Sequence, residues 1–565
     1  LLGLVGSEMC IRDRNTTEQA KAVKVRFLEG FNSREVLDFN LYMSEADVWV
    51  AAIADVEGTP TLLIPDTSCT VPYLYGMGVD AGYGMGMQPF LDIAYSDNGE
   101  IDGVSYDFSD GGPTGIARAA EGHFEMIEMG TIFNDSVIGE AVTHDDETGM
   151  PADCEFVVEQ WTADLSSGGS VTEDSGQWIL DTYCGYDEDE EEFDCDLDPD
   201  YDRGVFDINR NSGGLFGGAA VVNSANGTMF SYDAIALQGF DKTDEGLNFE
   251  PGTIYPSLNS GSESSSWVFF GTPTNQAVNL DYDLTVDAVS SVFMKSNIVN
   301  EYVIDDALNA GTEWIITFPT KNFYADSLRL LMEELIYVPT SGDFNDDGYL
   351  NSDLSDDNWT CKEVLDDDDA SLGWSCTLTS PRPPFTKFFA DTQTVTDDVG
   401  GDYDAPDCEY VSLRTWDREE LTFSAPDQPG DTKPPVVSPS LPGANPDVGD
   451  VPFQLCNEVN VLRFGEEVVF GTPMFTGEDL LNNTLLVEVE NEYDAGWGRI
   501  TMDEDEDGDM RLLPEDDSRG ALVGLPVTGF AAYEFENGFL EGGSVKANYG
   551  GLFKHKGLVQ RTSDE

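Results

Sequence analysis

Two acidic stretches of this chain space oxygen ligands as a hard cation needs them. Asp343, Asn345, Asp347, Gly348, Tyr349 and Asn351 fit positions 1, 3, 5, 6, 7 and 9 of an EF-hand-type calcium loop. The glycine permits the sharp turn, and Tyr349 would lend its backbone carbonyl. Position 12 is Leu354, so Asp353 or Asp356 has to substitute for the usual acid, and no flanking helix pair is evident. A second stretch, Asp503, Asp505, Asp507 and Gly508, repeats the core of the pattern but continues with Arg511 and Pro514. Calcium is the cofactor these residues predict; the plainer reading is a solvated acidic turn.

Acid–base and nucleophilic chemistry find less. The chain has three histidines, His123, His144 and His555. His123 and Glu125 would share one strand face, a spacing for two metal ligands or for a base with its orienter. The same spacing arises from an ordinary polar strand face. His144 lies in a loop-like THDDETG run, and residues 76–87 are glycine-rich without GxGxxG. GxSxG, HExxH and GxxxxGK[ST] do not occur. A glycosidase needs only two carboxylates ~5–9.5 Å apart, and 109 acids offer too many pairs for sequence to choose among. Arg418, a scarce cation inside WDREE at residues 416–420, reads as a structural ion pair. No catalytic residue is assigned.

Charge narrows the partners. Against those 109 acids stand 27 Lys and Arg, a formal net charge of -82. Such a field repels phosphates and anionic lipid, so nucleic acid and membrane are not expected partners. No stretch of about 20 apolar residues is present to insert in a bilayer. Salt shortens the Debye length from ~10 Å at 0.1 M to ~3 Å at 1 M and would relieve the self-repulsion. Bound divalent cations would do so locally. Hydrophobic residues at 40% and aromatics at 11% are nevertheless enough for real cores.

The opening LLGLVGSEMCIRDR resembles a translated sequencing-adapter artefact, so residues 1–14 are expected to stand outside the fold. Of nine cysteines, Cys10 falls in that leader. The remaining even set fits an oxidised protein without CxxC zinc spacing. Pairing neighbours gives Cys69–Cys154, Cys184–Cys195, Cys361–Cys376 and Cys408–Cys456.

The elements that must position all this alternate with period two. In residues 22–28 (AVKVRFL), Val23, Val25 and Phe27 take one face while Lys24 and Arg26 take the other. Residues 36–42, 48–53, 61–64, 123–129, 219–222, 229–237, 314–318, 459–464, 485–489 and 529–535 repeat the pattern of half-buried antiparallel strands. Residues 325–338 are the best helix candidate, with Leu328, Leu331, Leu335 and Val338 at helical spacing. The expected fold is all-β, as tandem antiparallel immunoglobulin-like β-sandwich domains with acidic loop insertions. Residues 15–170 form one domain and 171–340 another, which carries the acidic insertion 184–203. Residues 341–450 hold the calcium-loop-like insertion, a disulfide hairpin and a linker with seven prolines between 424 and 450. Residues 451–565 complete a sandwich.

The runs KAVKVRFLEGFNSREVLDFNLYMSEADVW (21–49), GHFEMIEMG (122–130), GGLFGGAAVVN (213–223), TEWIITFPTKNFY (312–324), LCNEVNVLRFG (455–465) and GLPVTGFAAYEF (524–535) resemble an uncharacterised family of exported proteins from marine bacteria. The resemblance implies export and transfers no activity. The expected protein is therefore a non-catalytic secreted, periplasmic or cell-surface structural or adhesion protein, whose partner is an extracellular polysaccharide or another surface protein. The alternative is an extracellular carbohydrate-binding module or glycoside hydrolase, for which exposed tryptophans would speak.

Overall fold

Each segment of alternating polarity falls on a strand at least in part, residues 234–237 and 318 running past their strand ends and 488–489 lying outside the described residues, because a pleated chain sends successive side chains to opposite faces and only one face need enter a core. The computed structural model describes residues 7–75, 85–96, 99–101, 104–106, 110, 112–162, 178, 185–187, 192–194, 208–209, 211–223, 227–242, 247–270, 276–305, 309–333, 335, 359–365, 371–378, 381–387, 394–395, 408–417, 422–424, 453–464, 484–487, 494–502, 510–536, 539–540, 545–546 and 548–562. Strands take up 49% and helices 12%, and the sheets are antiparallel, so the expected all-β class holds. The described exception is an edge pairing, Val459–Phe464 running parallel to Thr484–Val487.

Two sheets belong to the N-terminal half. In the six-stranded one, Ser7–Asn15 lies between Leu215–Asn223 and Val48–Val56. In the five-stranded one, Ala20–Glu29 lies between Gly122–Ile132 and Glu35–Met43. Val23, Val25, Phe27, Phe39 and Leu41 from the second join Met9, Ile11, Trp49 and Ile53 from the first in one buried core. A second sheet pair belongs to the C-terminal half. One sheet centres on Asn297–Val303 and Ala495–Thr501, the other on Ala310–Thr317 and Thr528–Phe535. Ile298, Tyr302 and Ile500 meet Trp314, Ile316 and Ala531 in its core. A large apolar side chain fully buried in this way contributes roughly 1.5–3 kcal/mol.

Several expectations are corrected. Residues 7–14, expected outside the fold, form most of a strand hydrogen-bonded on both edges, with Met9 and Ile11 each 1% exposed. Their alternation matches the core face, so the sheet accepts them. Strands on either side of the expected boundary at 170 pair with each other, since Leu215–Asn223 adds to Ser7–Asn15. The helix expected over 325–338 is described only as Ser327–Met332. It follows Asp326, whose carboxylate accepts the Leu328 N–H at 3.0 Å. The polar face of Ala20–Glu29 is not solvated. All ten of its residues are buried, Lys21, Lys24 and Arg26 included.

Two expected disulfides are present, Cys69–Cys154 and Cys408–Cys456, and Cys10 is a free thiol. Cys361 and Cys376 occupy directly opposed positions in the hairpin of Trp359–Leu365 with Ser371–Leu378. Cys184 and Cys195 lie outside the described residues. Among the described residues, no helix is long and apolar enough to cross a membrane.

Candidate functional site

The calcium-ligand candidates Asp343, Asn345, Asp347, Tyr349, Asn351 and Asp353, with Asp503, Asp505 and Asp507, all lie outside the described residues. Met502 and Met510, the described residues on either side of the second stretch, are buried in the C-terminal core. Among the described residues, no group of three His, Cys, Asp or Glu side chains is placed to hold a metal.

What the described residues do assemble is a buried ionic joint between the two halves. The turn after Ala20–Glu29 carries Phe31, which packs in the C-terminal core. The carbonyls of Gly30 and Phe31 accept backbone N–H groups of Val459 and Glu458, at 2.8 and 3.2 Å. Glu29 holds this turn in shape by accepting the N–H groups of Phe31, Asn32 and Arg34 at 2.7–2.9 Å. Its remaining bonds come from Arg118, through Nε at 2.8 Å and Nη2 at 2.9 Å. Arg118 also donates to both oxygens of Asp110, at 2.7 and 2.6 Å, and its guanidinium carbon lies over the rings of Phe31 and Tyr95, 4.7 and 4.4 Å from their centroids. Arg118, Glu29 and Asp110 are all fully buried. Burial alone would raise the Asp110 pKa, but the Arg118 charge and hydrogen bonds overcome it and hold the carboxyl at about 2. Asn32 then bridges Asp110 to Asp326 of the C-terminal half, 3.1 Å to each, and Arg34 reaches Asp326 at 2.9 Å.

The outer face of Ala20–Glu29 continues this joint. Lys24 pairs with Asp38, and Arg26 bridges Glu35 at 2.8 Å and Glu125 at 3.1 Å. His123 does share that face with Glu125, Nε2 to Oε1 at 3.7 Å, beyond hydrogen-bond length. Burial raises Glu35 to about 7 against the pull of Arg26. Arg329 pairs with Glu333 across one helical turn of Ser327–Met332 and its exit. Chemically this is a ladder of paired charges. Arg118 spends its donors on two fixed carboxylates, and these acids are screened from solvent.

Elsewhere, Glu458 is buried beside the joint. Burial holds its carboxyl far above the ordinary range, reinforced by the nearby Glu29 charge, while one oxygen accepts the Asn322 N–H at 3.0 Å. His144 accepts or donates to Ser44 at 3.1 Å at a bridge with Pro151, the loop role expected of it. His555 sits under the C-terminal core. Its Nε2 lies 2.9 Å from the Ile315 carbonyl, which can only accept, so Nε2 carries the proton and Nδ1 accepts from Asn300 at 3.0 Å. Gly529 (φ +135°) makes room there, since a Cβ would stand 1.9 Å from the Ile315 oxygen.

The chain matches no family model, no curated protein and no solved structure. Function therefore has to be argued from these residues. The sequence reading missed Glu29, Arg34, Asp110, Arg118 and Asp326. The available signal was scarcity: a chain with 27 cations among 109 acids has few to leave idle, and three of them fall within residues 21–26.

His555 gives a pH test. Burial lowers its pKa from 6.5 to about 3. A depressed histidine binds fewer protons folded than unfolded between those values, so its stabilising contribution is complete above about 6.5 and is lost as pH falls towards 3. Asp110 adds a separate loss only below the ordinary aspartate range, towards about 2. His555→Gln should be less stable than the parent at pH 7, with the gap closing by pH 4.5 in urea melts. A gap that stays constant with pH would refute the assignment.

Proposed function

We propose that this chain is a non-catalytic secreted, periplasmic or cell-surface protein with a structural or adhesive role, built as two immunoglobulin-like β-sandwiches in tandem. The observation that carries the reading is the Arg118 joint. Domains within a chain usually meet through polar surfaces that let them move. Here a buried ion cluster, an inserted Phe31 and the shared apolar cluster of Val221, Phe230, Ile315 and Phe530 tie the halves together. That suits a part that bears load or spaces a surface.

The sandwich reading rests on two sheets giving inward faces to one core in each half. Export is supported by the two disulfides, since such bonds persist in oxidising compartments. It is supported as well by the resemblance to exported marine proteins. Calcium, held by Asp343, Asn345, Asp347, Tyr349, Asn351 and Asp353, with a second site at Asp503, Asp505 and Asp507, would offset part of the charge of -82. The partner is an extracellular polysaccharide or a surface protein.

The test uses the full chain coupled to beads and challenged with cells and extracellular matrix, with millimolar calcium or with chelator. Saturable retention without release of new reducing ends is expected, with a thermal midpoint that rises in calcium. Released reducing ends would replace the reading with a hydrolase; an unmoved midpoint would remove calcium from it.

A further inference from the structure

The two most exposed large apolar side chains among the described residues stand next but one to each other on a single strand. Trp267 is 62% and Phe269 69% exposed, both on Ser265–Phe270, which forms a hairpin with Gln276–Asp281. Alternation explains why they share a face. It does not explain why that face is aromatic, since tryptophan is usually well buried. The opposite face carries Val268 and Leu280 into the C-terminal core, with Val286 and Ala288 of the helix Thr285–Phe293. The hydroxyls of Ser266 and Ser291 bond at 2.5 Å between strand and helix. The partner strand is held as well. Arg519 donates to the Asn279 carbonyl at 2.7 Å, and the Glu515 N–H to the Asp281 carbonyl at 2.8 Å. The outer face is therefore a fixed platform. Register sets Trp267 opposite Asn279 and Ser265 opposite Asp281, so an amide, a hydroxyl and a carboxylate share the face with the rings.

We propose that this platform binds a neutral polysaccharide of flat, equatorially substituted hexoses. Such a sugar has apolar C–H faces and a rim of hydroxyls. The electron-rich face of an aromatic ring suits the C–H face, and two rings about 7 Å apart along a strand suit successive sugars. The Asn279 amide and the Ser265 hydroxyl both donate and accept, and the Asp281 carboxylate accepts, which suits the hydroxyl rim. Rigid aromatic side chains lose little conformational freedom when a ligand covers them. Net charge then selects among the ligands an aromatic face can take. A formal charge of -82 repels polyanions and anionic lipid, and repels a second copy of this chain. A neutral sugar chain meets no such barrier. The proposal rests on the adhesive reading and names its ligand class and its site.

The full chain is titrated with hydroxyethylcellulose, with carboxymethylcellulose, which adds carboxylates to the same backbone, and with phosphatidylcholine vesicles. Saturable binding of hydroxyethylcellulose, unchanged by salt, is expected. Carboxymethylcellulose should bind more weakly at about 0.1 M salt and approach the neutral polymer at about 1 M, as the Debye length falls from ~10 to ~3 Å. Trp267→Ala and Phe269→Ala should each lose at least tenfold in affinity, at thermal midpoints matching the parent because both side chains are exposed. Trp267→Phe should recover most of the loss, and Asn279→Ala should weaken binding severalfold. Met229→Ala, 59% exposed on a separate sheet, should bind like the parent. A parent that does not bind hydroxyethylcellulose saturably, or full affinity in the Trp267→Ala/Phe269→Ala chain, would overturn the inference. So would carboxymethylcellulose binding more tightly than the neutral polymer, or vesicle binding that alone depends on Trp267, which would give the face to a lipid surface. Bead retention of cells that survives in the Trp267→Ala/Phe269→Ala chain sinks this inference alone, whereas parent beads that retain nothing sink the adhesive reading too.

Discussion

Arg118→Ala should destabilise the protein by about 3–5 kcal/mol, the cost of removing one partner from a buried ion cluster. The reason is local and countable. Without the guanidinium, Glu29 and Asp110 are left fully buried as neighbouring carboxylates, and four charge-assisted hydrogen bonds are lost. Their ionised forms then keep only neutral donors and lose the opposing charge in a site walled by Phe31 and Tyr95. The loss should reach the joint, because Asp110 also holds Asn32, which reaches Asp326. Arg118→Lys keeps the charge but not the fork, so it should recover only part of the stability. Urea and thermal melts of the three proteins decide the matter, and limited proteolysis should show the Arg118→Ala halves separating before either core opens. Arg118→Ala melting within about 1 kcal/mol of the parent would show that the cluster is not what joins them.

Opening the two described disulfides should have an effect of similar size. Cys69–Cys154 closes a span of 85 residues and Cys408–Cys456 one of 48. Constraint of the unfolded chain by loops of this length stabilises by about 4 kcal/mol each, within the roughly 2–5 kcal/mol that native bridges usually contribute. The first bridge ties Cys69–Val71 to the short helix Cys154–Glu159, in the satellite core of Tyr42, Val142 and Trp161. The second joins the start of Glu409–Asp417 to the turn that carries Asn457 and Glu458. Cys69→Ala/Cys154→Ala and Cys408→Ala/Cys456→Ala should each lower the thermal midpoint in non-reducing buffer. Reductant should lower the parent below either variant and should lower each variant further, since each keeps the other bridge. Peptide mapping after alkylation without reductant should label Cys10 and spare these four. Label on any of them would contradict the bridges, and with them the oxidising compartment.

The sequence by itself determined most of the central strands and two bridges. Alternation is a local property: Val23, Val25 and Phe27 must share a face in any extended chain, and the same holds for Trp314 and Ile316. It therefore reads correctly before any partner is known. What alternation does not carry is what covers the second face. Alternation puts Lys24 and Arg26 on the face opposite the core of a half-buried strand, yet residues far away in sequence supply Glu125, Arg329 and Glu333 to that side and exclude water from it. Ser7–Asn15 shows the same limit, since its strand exists through pairing with residues about two hundred positions away. Arg414 is a third case, because register alone sets it opposite Arg499 of Ala495–Thr501. Faces are decided by neighbours along the chain; burial of charge and the meeting of like charges are decided by neighbours across it, and those contacts exist only once the chain has folded.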